Sequence, residues 1–320
     1  MSTSLLILAY NEEVTIENVI KNYATHFDNL IVINDASTDN TRKLLSDIEL
    51  DIKNLIVVNN KINLGAGKSF EIGVNKFLEL NSENLVKIDG DNQFNFKDVI
   101  KIKKLLEETD YSFIKCDRFW AGGIVGKIPN IRYFGNSIAS FLIKFSTGIW
   151  KINDPLNGLY GIKKTALLQF KLPKLFYRYG YPFYLCNYFS FLGFTENLKI
   201  AQIQNTVKYE NEVSNLNPFI MLMKLPYFVI KNFYNKINLK NKFSKLQISG
   251  LLDLTSQIFL FLTFYSIFKF MNIRYFNAVG PQSSWFILFI LFFILFVVLI
   301  IASQNRLNKL SEKFFHDIDL

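Results

Sequence analysis

The chain has 320 residues, half of them hydrophobic and 16% aromatic, with a formal net charge of +9. Two cysteines and two histidines, each pair widely spaced, exclude a disulfide framework, a zinc site of Cys/His spacing and a histidine triad. Chemistry must therefore rest on carboxylates, amides, lysines and arginines, in one substantial domain with an appendix.

The first 110 residues alternate short apolar runs with helical patterns. Strands are expected at 4–9, 30–33, 55–58 and 85–88, and helices at 14–23, 41–48, 67–80 and 96–107. Such alternation predicts βαβ units and a mainly parallel sheet, whose ligands bind at the carboxyl ends of the strands. Polar clusters stand at those ends: Tyr10-Asn11-Glu12, Asn34-Asp35, Asn59-Asn60 and Asp89-Gly90-Asp91. In VKIDGDNQF (86–94), Asp89 and Asp91 lie two residues apart just past a buried strand, and Gln93 adds an oxygen at the same alternation. Oxygen ligands of this kind suit a hard cation, Mg²⁺ or Mn²⁺, that completes its shell with water and phosphate. NLGAGKSF (63–70) lacks the first glycine of a P-loop and follows the third strand, which rules out that reading. Its glycines are expected to open a helix tightly.

An apolar, weakly basic helix is expected at 132–149 and an interfacial one at 217–235. Residues 251–271 and 285–302 are almost wholly apolar, each long enough to cross a bilayer. No acidic residue falls between Glu212 and Asp253, where six lysines lie, and Arg306, Lys309 and Lys313 follow the second run. Basic flanks stay cytoplasmic, so the large domain and the tail are expected in the cytosol. Because the basic cluster lies against apolar segments, anionic lipid rather than nucleic acid is the expected partner.

AYNEE (9–13), VINDASTDNT (32–41), NLGAGKS (63–69) and VKIDGDNQF come in the order and spacing of family 2 glycosyltransferases with the GT-A fold, which the chain resembles. With KCDRF (115–119), NIRYFGN (130–136) and DPLNGLYGIKK (154–164), it is similar to the dolichol-phosphate mannose synthase branch. Bacterial relatives of that branch charge undecaprenyl phosphate, and some carry two C-terminal spans. The resemblance covers residues 4–215 and the two-span layout.

It implies a nucleotide-sugar donor, with Tyr10 near the base, Glu12 on the nucleoside and Asp35 accepting from a base N–H. Asp89, Asp91 and Gln93 would hold the metal on the diphosphate, so that Asp89 belongs to the nucleotide site as well. Arg118 and Arg132 would clamp the phosphate of an undecaprenyl or dolichyl acceptor, with Asn136 nearby. Ala9 and Asn34 replace a proline and an aspartate usual in the family, and FYLCN (183–187) lacks the glutamate usual in the phosphate branches. Between Asp154 and Glu196 there is no Asp, Glu or His. A sugar hydroxyl needs a positioned base and a lipid phosphate does not, so the gap favours a phosphate acceptor unless Asp154 is the base.

The expected layout is an α/β GT-A domain at 1–215, a basic interfacial linker at 216–247, a hairpin of two transmembrane helices within 248–304 and a cytosolic tail at 305–320. The expected protein is a metal-dependent glycosyltransferase of the bacterial inner membrane; self-association through the spans is left open. The alternatives are transfer to a lipid-linked saccharide with Asp154 as base, and an inactive membrane scaffold.

Overall fold

The computed structural model describes residues 1–120, 124–125, 130–208, 218–276 and 279–318. Two compact units divide the chain. One comprises Met1–Lys144, Lys151–Pro226 and Lys313–Leu320, the other Phe145–Trp150 and Tyr227–Glu312.

In the first unit β1 (Thr3–Ala9), α1 (Ile16–Tyr23), β2 (Asn29–Asn34), α2 (Thr41–Asp51), β3 (Leu55–Asn59), α3 (Ala66–Glu79), β4 (Asn84–Asp89) and α4 (Phe96–Glu108) alternate as expected. There follow β5 (Phe113–Asp117), β6 (Ile124–Val125), α5 (Asn130–Thr147), β7 (Tyr160–Lys163), α6 (Lys164–Leu167), α7 (Tyr181–Glu196), β8 (Ile200–Gln204) and β9 (Val207–Lys208). Among the described residues one eight-stranded sheet has the order β10-β8-β5-β7-β4-β1-β2-β3, where β10 is Phe315–Ile318. Only β7 runs antiparallel to its neighbours in that sheet. This is the α/β GT-A architecture that the resemblance implies.

Alternation along the strands divides the side chains between two faces. On one face Leu5, Ile7, Leu30, Val32, Val86, Ile88, Ile114 and Cys116 pack with residues of α1, α2 and α4 in a continuous core. On the other, Gly73 of α3 lies so close to Leu6 that a Cβ would overlap it, and Phe189 of α7 stacks on Phe113 with centroids 4.3 Å apart. Burial of each large apolar side chain contributes roughly 1.5–3 kcal/mol.

Residues 315–318 were expected in a separate tail, but they form β10, an edge strand paired parallel to β8. Phe314 and Phe315 are buried there, and Gln202 Nε2 donates to Asp317 Oδ1 at 2.7 Å. The sheet domain is thus discontinuous in sequence.

The second unit holds most of α8 (Pro218–Lys242), then α9 (Gln247–Tyr275) and α10 (Gln282–Ser311), both longer than the apolar runs predicted. Ser249, Gly250, Asp253, Ser256, Thr263 and Ser266 are the buried positions of α9, whereas Leu254, Ile258, Phe261, Phe264 and Phe268 are exposed. Ser303 Oγ of α10 donates to the Ser249 carbonyl at 3.2 Å. Lys240 of α8 is ion-paired with the fully buried Asp253. The pair is polar inside and apolar outside.

Candidate active site

The site is built where β1, β2 and β4 end side by side. Their turns are stitched together by the side chains of the first two motifs. Asn11, held at φ 58°, accepts from Thr38 N–H through Oδ1 at 2.8 Å. Glu13 Oε2 accepts from Asn40 N–H, and Asp39 Oδ2 from Glu13 N–H. Thr15 Oγ1 donates to the Gly90 carbonyl at 2.7 Å, joining the first turn to the one that carries Asp89 and Asp91. Gly90 packs closely here: an added Cβ would lie 3.2 Å from the Leu8 carbonyl oxygen, a tight contact. Asn95 closes that turn as N-cap of α4, accepting from Lys97 N–H.

Tyr10 stands exposed on this rim, and Glu12 Oε2 lies 3.1 Å from Thr15 Oγ1. Asp35, 4% exposed, accepts from Asn60 Nδ2 and Leu64 N–H through Oδ1 and from Gly65 N–H through Oδ2. Asp35 therefore shapes the 60–65 loop. Gly65, at φ 91°, is the N-cap that opens α3 as expected, and Gly65 and Gly67 serve a second purpose as well. A Cβ on Gly65 would lie 2.6 Å from Arg178 Cα, and one on Gly67 would overlap the Phe176 carbonyl, so both admit the 176–178 segment. Lys68 pairs with Glu71 at 2.6 Å and lies over the Tyr177 ring.

Asp89 ends β4, with Oδ1 2.5 Å from the ammonium of Lys87. Lys87 is 1% exposed, a residue that reading the sequence for ligands passed over. Its signal was present: a lysine inside an otherwise apolar strand. Burial disfavours the charged form, yet Asp89 and Tyr181 hold the lysine pKa above its ordinary value. Asp91 Oδ1 accepts from Gln93 N–H at 3.1 Å. Gln93 lines a hollow with Asn22, Tyr23 and Phe96 that neither aspartate lines. Among the described residues no three His, Cys, Asp or Glu side chains converge. The donor set nonetheless fits a divalent ion. The Gly158 backbone approaches Asp89 Oδ2 so closely that a Cβ there would overlap that oxygen. Two hard carboxylates with phosphate and water to complete the shell is the usual habit of Mg²⁺.

Gly158 also brings the 154–158 loop against this turn. Asp154, 1% exposed and left-handed at φ 44°, binds Arg118 from both sides of its carboxylate. Arg118 Nη2 lies 3.1 Å from Oδ1 and Nε 2.9 Å from Oδ2, and the Arg118 backbone N–H also reaches Oδ2. Asn157 Nδ2 donates to Oδ2 as well. Arg118 is thus tied to Asp154, across 36 residues of sequence. Arg132 falls on α5, with its side chain outside the described residues. Asn136, one turn further, is 6% exposed and its Oδ1 has no hydrogen-bond partner among the described residues. Burial pushes the Cys116 thiol well up and that of Cys186 to about 11, so neither is a nucleophile.

Asp154→Asn is expected to destabilise the domain by about 3 kcal/mol, the range for breaking a buried ion pair. Thermal unfolding measures it. An inactive variant of unchanged stability would mark Asp154 as a base instead.

The Glycosyl transferase family 2 model matches residues 4–169. UDP-N-acetylglucosamine–dolichyl-phosphate N-acetylglucosaminyltransferase of Methanococcus voltae is 30% identical over 176 residues, 51% of this chain and 70% of that protein. Glycosyltransferase AglJ of Haloferax volcanii is 27% identical over 169 residues, 52% of each chain. Among solved structures, S. aureus TarS 1–349 in complex with UDP-GlcNAc is 14% identical with a TM-score of 0.45, covering 98% of this chain and 92% of that one. The family match spans more than half of the chain and contains β1 to β7 with Asp89, Asp91 and Asp154, and the chain belongs to glycosyl transferase family 2, the nucleotide-sugar glycosyltransferases.

Proposed function

We propose that this membrane-anchored enzyme transfers a sugar from a nucleotide sugar to a polyprenyl phosphate, with inversion at the anomeric carbon. The pairing of Arg118 with Asp154 is the observation that carries the choice of acceptor. Asp154 is the only acidic residue between Arg118 and Glu196, and both its oxygens are engaged. A carboxylate so occupied is a poor base for a sugar hydroxyl, which requires one. A phosphate monoester arrives already anionic and needs none.

On this reading Tyr10 and Glu12 face the nucleoside, and Asp35 acts through the loop it holds. Asp89 and Asp91 would hold a Mg²⁺ or Mn²⁺ ion, which when bound supplies Lewis-acid stabilisation of the departing diphosphate. Arg118, a permanently charged guanidinium oriented by Asp154, would stand on the acceptor side. Arg132 and Asn136, four residues apart on α5, would complete the acceptor side. Holding both anions in one place removes much of the entropic part of the barrier.

The two C-terminal helices, 29 and 30 residues long with 18-residue stretches of mean hydropathy 1.5 and 3.4, support the anchor. At 1.5 Å per residue each exceeds the ~30 Å hydrocarbon core. A polar seam with an apolar exterior suits lipid better than water. Lysines before α9 and basic residues at the end of α10 favour a cytosolic domain.

The name of the Methanococcus voltae relative makes UDP-N-acetylglucosamine and dolichyl phosphate the first substrates to try. Membranes containing the protein, given radiolabelled sugar nucleotides, are extracted with organic solvent and the lipid treated with mild acid. Label released as free sugar is the expected result. Label in an oligosaccharide would move the acceptor to a lipid-linked saccharide, and no incorporation from any donor would leave a scaffold.

A further inference from the structure

We infer that the buried charge of Lys87, held against Asp89, makes divalent-ion binding at the Asp89–Asp91 turn depend on the nucleoside diphosphate. This rests on the metal reading above. Lys87 lies in β4 opposite Tyr160 of β7, and its ammonium stands 5.7 Å from the Tyr160 ring centroid and 5.6 Å from that of Tyr181. Phe70 packs on both tyrosines, so the surroundings are largely aromatic, with the two tyrosine hydroxyls buried there as well. The Asp89 side chain is 36% exposed and can be solvated without the lysine, so stability alone is a weak reason for a lysine here.

What the lysine does is fix one carboxylate. Its ammonium holds Asp89 Oδ1, while Gly158 borders Oδ2 so closely that a Cβ would overlap it. Asp89 is thereby confined from two sides, half-exposed at the mouth of the site. The charge has a second effect. Two carboxylates and one ammonium leave a local charge of −1, where the carboxylates alone would give −2. A dication gains less from such a site, and the diphosphate must provide the missing negative charge. Ion and donor then bind together, and the ion leaves with the nucleoside diphosphate after transfer.

The full-length protein in detergent is titrated with Mn²⁺, free ion being read by electron paramagnetic resonance, alone and with saturating UDP or GDP. In the unaltered protein one of these diphosphates should tighten Mn²⁺ binding at least tenfold. Lys87→Met should bind Mn²⁺ alone at least tenfold more tightly than the unaltered protein, so that most of the dependence on diphosphate disappears. A lysine that served packing alone would not produce this gain in affinity. If Lys87→Met does not fold, as judged by its thermal transition, Lys87→Gln keeps a polar atom beside Asp89 and should show the same gain. Unchanged or weaker Mn²⁺ binding in a folded variant overturns the inference, and so does failure of both variants to fold, which would assign the pair to stability. The metal reading fails separately: there, neither diphosphate nor Asp91→Ala would move the Mn²⁺ affinity of the protein with Lys87 intact.

Discussion

Asp91→Ala should abolish measurable transfer while leaving the protein folded and in the membrane. The expected loss in kcat is about 10²–10³-fold or more, by analogy with removing one group that stabilises charge on a reacting oxygen. Asp91 sits on the turn between β4 and α4, where its Oδ1 accepts from Gln93 N–H, a contact whose loss costs about 1 kcal/mol. The sheet beneath is untouched. Transfer is measured with excess Mn²⁺, the thermal midpoint on the same preparation, and membrane association by carbonate extraction. Retention of most activity in chelated buffer would show that Asp91 holds no ion.

The second large effect is expected far from that turn. Phe315→Ala should destabilise the sheet domain by ~3–5 kcal/mol, the usual range for truncating a buried phenylalanine. Phe315 is 1% exposed and sits on β10 opposite Ile200, while the neighbouring Phe314 packs edge-on against Phe194 of α7. Phe314 fills the space beside Gly193, where a Cβ would overlap its ring. The same logic bears on shortening the chain. A fragment ending near residue 214 contains every nucleotide-side residue yet leaves β8 without its outer partner. Denaturant unfolding of Phe315→Ala measures the cost, and a midpoint within error of the unaltered protein would show that β10 is dispensable.

The first four strands were legible because each is a local signal, an apolar run closed by polar residues and followed by a helical period. Asp89 and Asp91 were legible for the same reason, standing where such a run stops. The middle of the sheet was harder to read, and the cause is chemical. Lys115 of β5 and Gln202 of β8 are both buried, which breaks the apolar pattern of FIKCD and IAQIQ. They are tolerated because Lys115 Nζ donates to Gln202 Oε1 at 2.9 Å and to the Asn153 carbonyl. Such compensation is invisible until the strands are adjacent. The Arg118–Asp154 pair is likewise non-local, so an arginine read as waiting for a phosphate already has an internal counter-ion. β10, four residues beyond a 30-residue helix, carried no periodicity from which to be read.

That last strand has a consequence for how the molecule is made. β8 and β10 are neighbours in the sheet, but the whole of α8, α9 and α10 is synthesised between them. With the hairpin in a bilayer, β10 can reach β8 only if the chain returns to the face from which it left, which requires an even number of crossings. On the membrane-anchored reading proposed above, the sheet would close only after both helices had been inserted. A chain that threads one helix alone strands its final segment on the wrong face and leaves the β8 edge unpaired, a state prone to aggregation. On that reading, completion of the sheet would report on the topology of the helix pair, and a mis-inserted copy would lack a finished domain.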